Sequence, residues 1–464
     1  MSGRIFNNTR TASKLFFNSH KSTFVKASKA LFTLSVATPI IYQLYKSTKQ
    51  NVEIHAEENH VNDQSVSTRL QKAGQAFNTE QETPIIRIVI TGGPCAGKSS
   101  AMIKLSERLK SLGFEVFIVT EVATLLVTSG VRLNTPDATW EQMIQNESVL
   151  LRTKMALEDG LVDIAKASKK PTIILCDRGV MDSRAFLDDN SWHALLDMNT
   201  WTTTKLRDSR YDCVIHMVTA ALGAEKHYTL TNNEARKESP EEAAEQDKRL
   251  RGAYVGHPNL YIVDNRSTVF EHKIQRVLDL VLHQVGQPRP INYRRKFLVK
   301  DADIHLEGNI PFQECEIEQV FLNSKSKNER TRIVKRGQLG VYNYTIYNTT
   351  ISKDGNEEAS VSRPISAKTY MSLMQQSDPD RVVTNKKLRS FVWENHYYEL
   401  HMYQTPGHGQ GVQVLSVEVE PSIFKEKGVD AMIPEFLKST LDKDVTHSVY
   451  SSYDFAKRNK KNDV

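Results

Sequence analysis

The sequence predicts an α/β domain with a parallel sheet and helices on both faces, followed by a mainly antiparallel β domain of barrel type. Three observations carry this. Ile85 to Ile90 is a short β-branched run, and Gly92, Gly97, Lys98 and Ser99 follow it in the spacing G-x-x-x-x-G-K-S, the signature of a phosphate-binding loop. Strand-like apolar runs then alternate with helical patterns as far as Val285. Beyond Gln287 the pattern changes to short alternating runs.

The chain starts with a segment of different character. Residues 1–50 hold eight Lys/Arg and no Asp or Glu, and with many Ser/Thr this is transit-peptide composition. Ala30 to Tyr45 is mostly apolar but broken by Pro39, and it is shorter than the about 20 residues that span a bilayer. Flanking Lys26, Lys29, Lys46 and Lys49 could snorkel to extend it. Residues 1–50 are therefore expected to be a mitochondrial targeting segment, either cleaved or retained as a membrane anchor. The alternative location is the cytoplasmic face of a membrane. Residues 51–83 read as a polar linker. The rest of the chain carries 53 basic against 55 acidic residues, so bulk charge makes no case for a nucleic-acid partner. Cys95, Cys176, Cys213 and Cys315 lie far apart, with neither zinc spacing nor a disulfide framework.

The expected nucleotide domain spans residues 84–290. Its phosphate loop, Gly92, Gly93, Pro94, Cys95, Ala96, Gly97, Lys98, Ser99 and Ser100, turns backbone N–H groups toward an anion. Lys98 is placed for the β/γ-phosphates and the Ser99 hydroxyl for Mg2+. Met102, Leu105 and Leu109 repeat at helical spacing after it, giving a helix whose N-terminus favours phosphate. A second strand, Glu115 to Thr120, ends at Glu121, which meets either a substrate or Mg2+ or merely caps a helix. Thr172 to Asp177 is a continuous apolar run ending in an acid, with Arg178 and Gly179 next. Asp177 there would hold Mg2+ with Ser99 or act as a base, and Arg178 would clamp phosphate. The basic residues between Asn232 and Tyr254, Arg251 among them, would sit on a lid that closes over the phosphates, or simply form a solvated helix face. Leu260 to Asn265 is the last strand and Val269 to Val285 the closing helix.

These residues resemble the P-loop domain of bacterial nicotinamide-riboside kinases, and more closely that of the TRPL translocation-defect proteins. The matching residues are the phosphate loop, Asp177 to Gly179, the arginine-bearing lid and Ile262 to Asn265. The resemblance covers residues 85–285 and implies nucleotide binding, either with kinase activity or with binding of GTP and phosphoinositides.

A β domain is expected over residues 291–458, with 459–464 as a tail. Lys296, the pair Arg330 and Arg332, the pair Lys387 and Arg389, and the pair Glu418 and Glu420 lie on its strands, the pairs at i, i+2 spacing. Cations sharing an inner face would need a polyanion to meet them; on an outer face they are ordinary surface charges. In their order along the chain they resemble the CYTH, or triphosphate-tunnel, fold. That resemblance implies phosphate binding by Lys296, Arg330, Arg332, Lys387 and Arg389. It also sets Asn292 and Arg294 where catalytic members carry two metal-holding glutamates.

The expected function is a GTP- or ATP-binding protein, using Mg2+, with a CYTH-like domain that captures a phosphoinositide or polyphosphate, acting as a switch or adaptor. The alternatives are a small-molecule kinase with Asp177 as base, and a triphosphate hydrolase working through the tunnel. No N-K-x-D guanine motif is present to choose the base.

Overall fold

The computed structural model describes residues 83–458 apart from 134, 136, 229–237, 268, 287–293, 301–309, 325, 327, 352–356, 406–409, 419–432, 439 and 447–449. The expected targeting segment 1–50, residues 51–82 of the expected linker, the 287–293 boundary and the tail 459–464 therefore lie outside the described residues. No helix among the described residues is long and apolar enough to cross a membrane.

The first half is a five-stranded sheet in the order β2-β3-β1-β4-β5, made of β1 (Ile85–Thr91), β2 (Glu115–Val119), β3 (Thr172–Asp177), β4 (Cys213–Met217) and β5 (Leu260–Val263). All its ladders are parallel. Helices cover both faces, as expected. Ile88 and Ile90 of β1 point to one side, with Leu105 of α1 (Lys98–Ser111) and Ile274, Val277 and Val281 of α6 (Phe270–Gln284). Val89 points to the other, with Ile144 and Leu151 of α3 (Trp140–Ser168) and Trp192 of α4 (Asp189–Asn199). The period of two in the strand decides this split. The short α2 (Val122–Thr128) follows β2. The starts of α3 and of α5 (Pro240–Ala253) are fixed by capping boxes, Thr139 with Gln142 and Ser239 with Glu242, each satisfying N–H groups that the first turn leaves open.

The second half is a nine-stranded sheet in the order β10-β9-β8-β7-β11-β12-β13-β6-β14. The strands are β6 (Arg294–Val299), β7 (Phe312–Phe321), β8 (Glu329–Gln338), β9 (Val341–Ile351), β10 (Glu357–Pro364), β11 (Thr384–Trp393), β12 (His396–Tyr403), β13 (Gln413–Glu418) and β14 (Leu441–Asp444). Every ladder is antiparallel. Among the described residues β10 and β14 are the two edges. Short helices α7 (Ala367–Met374), α8 (Glu435–Lys438) and α9 (Ser452–Phe455) pack on it. Tyr370 of α7 covers Ile333 and Ile346 on one side of the sheet. Phe455 of α9 meets Tyr403 and Val414 on the other.

Candidate functional site

The phosphate loop is shaped by backbone that only its sequence allows. Gly92 has φ 137°, and a Cβ there would lie 1.9 Å from the Met217 carbonyl oxygen. Gly97, at φ 88°, is the N-cap of α1, and the Phe270 ring lies against it at 2.5 Å from where a Cβ would stand. Both conformations belong to the left-handed side that glycine enters freely. The loop opens into a cavity of 1110 Å3 whose lining includes Pro94 to Ser100, Glu121, Asp177, Arg178, Gln246, Asn265, Ser267 and Phe270.

Lys98 Nζ donates to the Gly92 and Gly93 carbonyls at 2.8 and 2.9 Å. Burial, reinforced by the Arg178 charge, brings its ammonium down to about 7, although Asp177, Asp182 and Glu121 pull the other way. Asp177 lies in register with Ile90 at the sheet's carboxyl edge and lines the same cavity as Ser99. Burial raises its pKa, opposed by Lys98. Arg178 is not free to reach outward. Its Nε donates to Glu121 Oε1 at 2.7 Å and its Nη1 to Asp182 Oδ1 at 3.3 Å. Despite burial, those two carboxylates raise its pKa, and Arg178, despite the burial of Glu121, lowers that of its partner. The expected phosphate clamp is thus held by two acids at the cavity wall. Asp182 in turn accepts from Thr91 Oγ1, the Gly179 N–H and Tyr254 OH, so the wall is anchored on three elements.

The back of the loop rests on two side chains that single-strand reasoning does not single out. Asp247 of α5, fully buried, accepts the Gly93 and Thr219 N–H groups at 2.9 Å each and meets His216 Nε2 at 3.0 Å. Burial opposes its charge, yet His216 and these bonds hold it at about 2. Lys273 of α6 donates to the Ala96 and Val218 carbonyls and to Asn265 Oδ1, and burial lowers it to about 8. The expected lid is placed differently. Residues 229–237 lie outside the described set, Lys248 and Arg249 are exposed, and Arg251 turns away from the phosphates. Its Nη1 donates to Glu394 O and Asn395 Oδ1, 2.7 Å each, in the β11–β12 turn.

On the second sheet, register assigns the faces. Lys386 pairs with Ile317 and Tyr403, Ile317 with Arg336, Phe321 with Arg332, and Ser416 with Lys296. Side chains paired across strands share a face, so Lys296, Arg330, Arg332, Arg336 and Lys386 are on one side, with Arg294 two residues from Lys296. Lys387 and Arg389 are on the opposite side, where both meet Glu314, at 3.7 and 3.1 Å. This corrects the expectation that they join the other cations. Sequence alternation is the same for both faces, each with a residue of β11 that is 1% exposed, Leu388 beside Lys386 and Phe391 beside Arg389, so register and not pattern separates the cations.

Burial, then the charges of Arg332, Arg294, Lys296 and Arg336, bring Lys386 down to about 7. Burial and four of the same cations push His401 well below its ordinary value. Lys386 on β11 stands between the two flanks, two strands from Arg332 on β8 and three from Arg294 on β6. Two carboxylates share the face: Glu399, ion-paired with Arg294, and Glu418, opposite Arg294 in the β13–β6 ladder. One end of the face is covered by the C-terminal turn: Lys386 Nζ donates to Ser452 Oγ at 3.1 Å, and Tyr453 is held between Arg330 and Arg381, 3.9 and 3.2 Å from its ring centre. Among the described residues no three His, Cys, Asp or Glu side chains gather as a metal site.

Residues 87–272 match the family described as an AAA domain. The similarity is to a nucleotide-binding domain of AAA type. It falls on the five-stranded half and ends within α6, so it takes in the phosphate loop, Asp177 and Asp247. No curated protein matches the chain. Similar solved structures include the inorganic triphosphatase NE1496, at 16% identity over 36% of this chain and 96% of that one with a TM-score of 0.26. Another is the PH1819 protein from Pyrococcus Horikoshii OT3, at 15% identity over 34% and 95%, also with a TM-score of 0.26. At that similarity they carry no functional weight.

Proposed function

We propose that the chain binds a nucleoside triphosphate at the phosphate loop and a second, phosphate-bearing ligand on the Lys386 face, and acts as a switch or adaptor. The observation that carries this is the convergence of Lys98, Ser99 and Asp177 on one open cavity above a loop with glycine-only geometry. Mg2+ fits there: Ser99 and Asp177 would hold it, and it would neutralise phosphate charge. On the second sheet six cations, Arg294, Lys296, Arg330, Arg332, Arg336 and Lys386, share one face with Glu399 and Glu418, an arrangement that a polyanion would relieve. Arg294, pairing with Glu399, stands where the triphosphate-tunnel resemblance places a metal-holding glutamate, which favours capture of phosphate over its hydrolysis. The kinase reading keeps one support, Asp177 at the strand end beside the phosphates. The phosphoinositide and mitochondrial readings rest on the sequence resemblance and on residues 1–50.

The test is calorimetric titration of the full chain with Mg2+–ATP and Mg2+–GTP, followed by phosphorus NMR of the incubated mixture. Saturable binding without product supports the switch. Absence of binding for both nucleotides overturns it. Transfer of phosphate to an added nucleoside would make the kinase reading correct.

Phe270 lines the same cavity, with its ring against Gly97 of the loop, and is 44% exposed, so it offers the base of a bound nucleotide a face to stack on. Stacking on an aromatic ring contributes about 1–3 kcal/mol. Phe270→Ala is therefore expected to weaken ATP and GTP by roughly 5–100-fold while leaving inorganic triphosphate's ability to displace a fluorescent nucleotide unchanged. An equal loss for both ligands would reduce Phe270 to a prop for Gly97.

A further inference from the structure

Both proposed sites have a cation resting on backbone carbonyls, and one helix lies between them. At the phosphate loop Lys98 is engaged by the Gly92 and Gly93 carbonyls, and the Gly93 N–H is held by Asp247 of α5. One turn further along α5, Arg251 fastens the helix to Glu394 and Asn395 of the second sheet. The loop that leaves α5 is fastened as well. Gly256 O accepts from Arg336 Nη2 at 2.6 Å, and the Gly256 N–H donates to Tyr397 OH at 3.2 Å. Arg336 is one of the six cations that share the Lys386 face, and its buried Nε has no hydrogen-bond partner.

We propose that α5 couples the two sites, so that a phosphate-bearing ligand on the Lys386 face weakens nucleotide binding at the phosphate loop. This rests on the reading that both sites bind their ligands. The switching element is the Arg336 guanidinium. It has two competing partners, the Gly256 carbonyl and a phosphate, and a charge-assisted bond to phosphate is the stronger of the two. Drawing Arg336 to phosphate frees Gly256 and the end of α5. Asp247, on the same helix, then loses its fixed distance to Gly93. The loop is less well formed for its anion. The effect is a difference in affinity between two states, which is what coupling requires, and by linkage the nucleotide must weaken the second ligand by the same factor.

The experiment measures Kd for Mg2+–ATP and Mg2+–GTP on the full chain, alone and with saturating inositol hexakisphosphate. A parallel arm uses phosphatidylcholine vesicles doped with phosphatidylinositol bisphosphate, against undoped vesicles; the arm that saturates at lower phosphate concentration identifies a free or a lipid-borne ligand. Expected is a rise in nucleotide Kd of about five-fold or more, matched by an equal rise in the Kd of the second ligand when nucleotide is present. Arg251→Ala, which removes both bonds to the β11–β12 turn, and Asn395→Ala, which removes one and leaves the Glu394 carbonyl, touch neither ligand; each should keep both single-ligand affinities and reduce the linkage, Arg251→Ala the more. If both ligands bind and neither affects the other, the coupling is overturned while the two-site reading stands. Linkage that persists undiminished in both variants is direct competition at the phosphate loop and overturns it too. If no ligand binds alone, the two-site reading falls and the coupling with it.

Discussion

Replacing Lys98 by alanine is expected to cost the protein its nucleotide. The ammonium lines the cavity and would trade its two carbonyl partners for phosphate oxygens. Losing one charge-assisted contact costs about 1.5–3 kcal/mol, so affinity should fall roughly 10–150-fold. The pH dependence identifies the same group. Burial and Arg178 hold Lys98 at about 7, and a bound phosphate would raise that value. Below pH 7 the lysine is already charged and its contribution is constant. Above pH 7 binding must take up a proton, and affinity should fall by up to about tenfold per pH unit until the raised value is reached. Titrations between pH 6 and pH 9 should show this fall in the parent chain and not in Lys98→Ala. A variant that binds as tightly as the parent would rule out the phosphate loop as the nucleotide site.

Reversing Lys386 to glutamate is expected to abolish phosphate capture on the second sheet, and reversing Lys387 is expected to leave it intact. The two residues are adjacent in sequence and point to opposite faces. At about 4 Å and an effective dielectric near 20, turning one attraction into repulsion is on the order of 4 kcal/mol each way before salt screening. The Lys386→Glu variant should fold, because a carboxylate at that position would sit among Arg294, Lys296, Arg332 and Arg336 and relieve their mutual repulsion. Binding of inorganic triphosphate or inositol hexakisphosphate, followed with the nucleotide site saturated, separates the two variants. Loss in Lys387→Glu with retention in Lys386→Glu would show that the ligand uses the outer face.

The parallel sheet was legible because strand, loop and helix each carry their own local signal, and Asp177 was legible as the acid that ends an apolar run. The antiparallel half was legible from alternation, but β10 was not. Its sequence, Glu357 to Pro364, is mostly polar and has an edge position, so no buried face imposes a pattern. Alternation also could not choose between Lys386 and Lys387, since both faces of β11 carry cations and only register with β7 and β12 decides. Arg178 was read as free because Glu121 and Asp182 reach it from elsewhere in the fold. Asp247 sits 154 residues from the glycine it holds, a separation at which a single sequence gives no pairing information. Arg336 was passed over although it follows Arg332 by four residues, which in a strand returns to the same face.

The crowded face of the second sheet also bears on how the protein matures. A newly made chain must bring Arg294, Lys296, Arg332, Arg336 and Lys386 together before any ligand has arrived, and their repulsion then opposes closure of the sheet. Shedding the Lys386 proton is one release, since burial and its neighbours have already brought that lysine to about 7. Ambient phosphate is another, acting as a co-solute of folding by binding the closed sheet and not the open chain. If the face captures phosphate as proposed, refolding from denaturant should give higher yields in phosphate than in chloride at equal ionic strength.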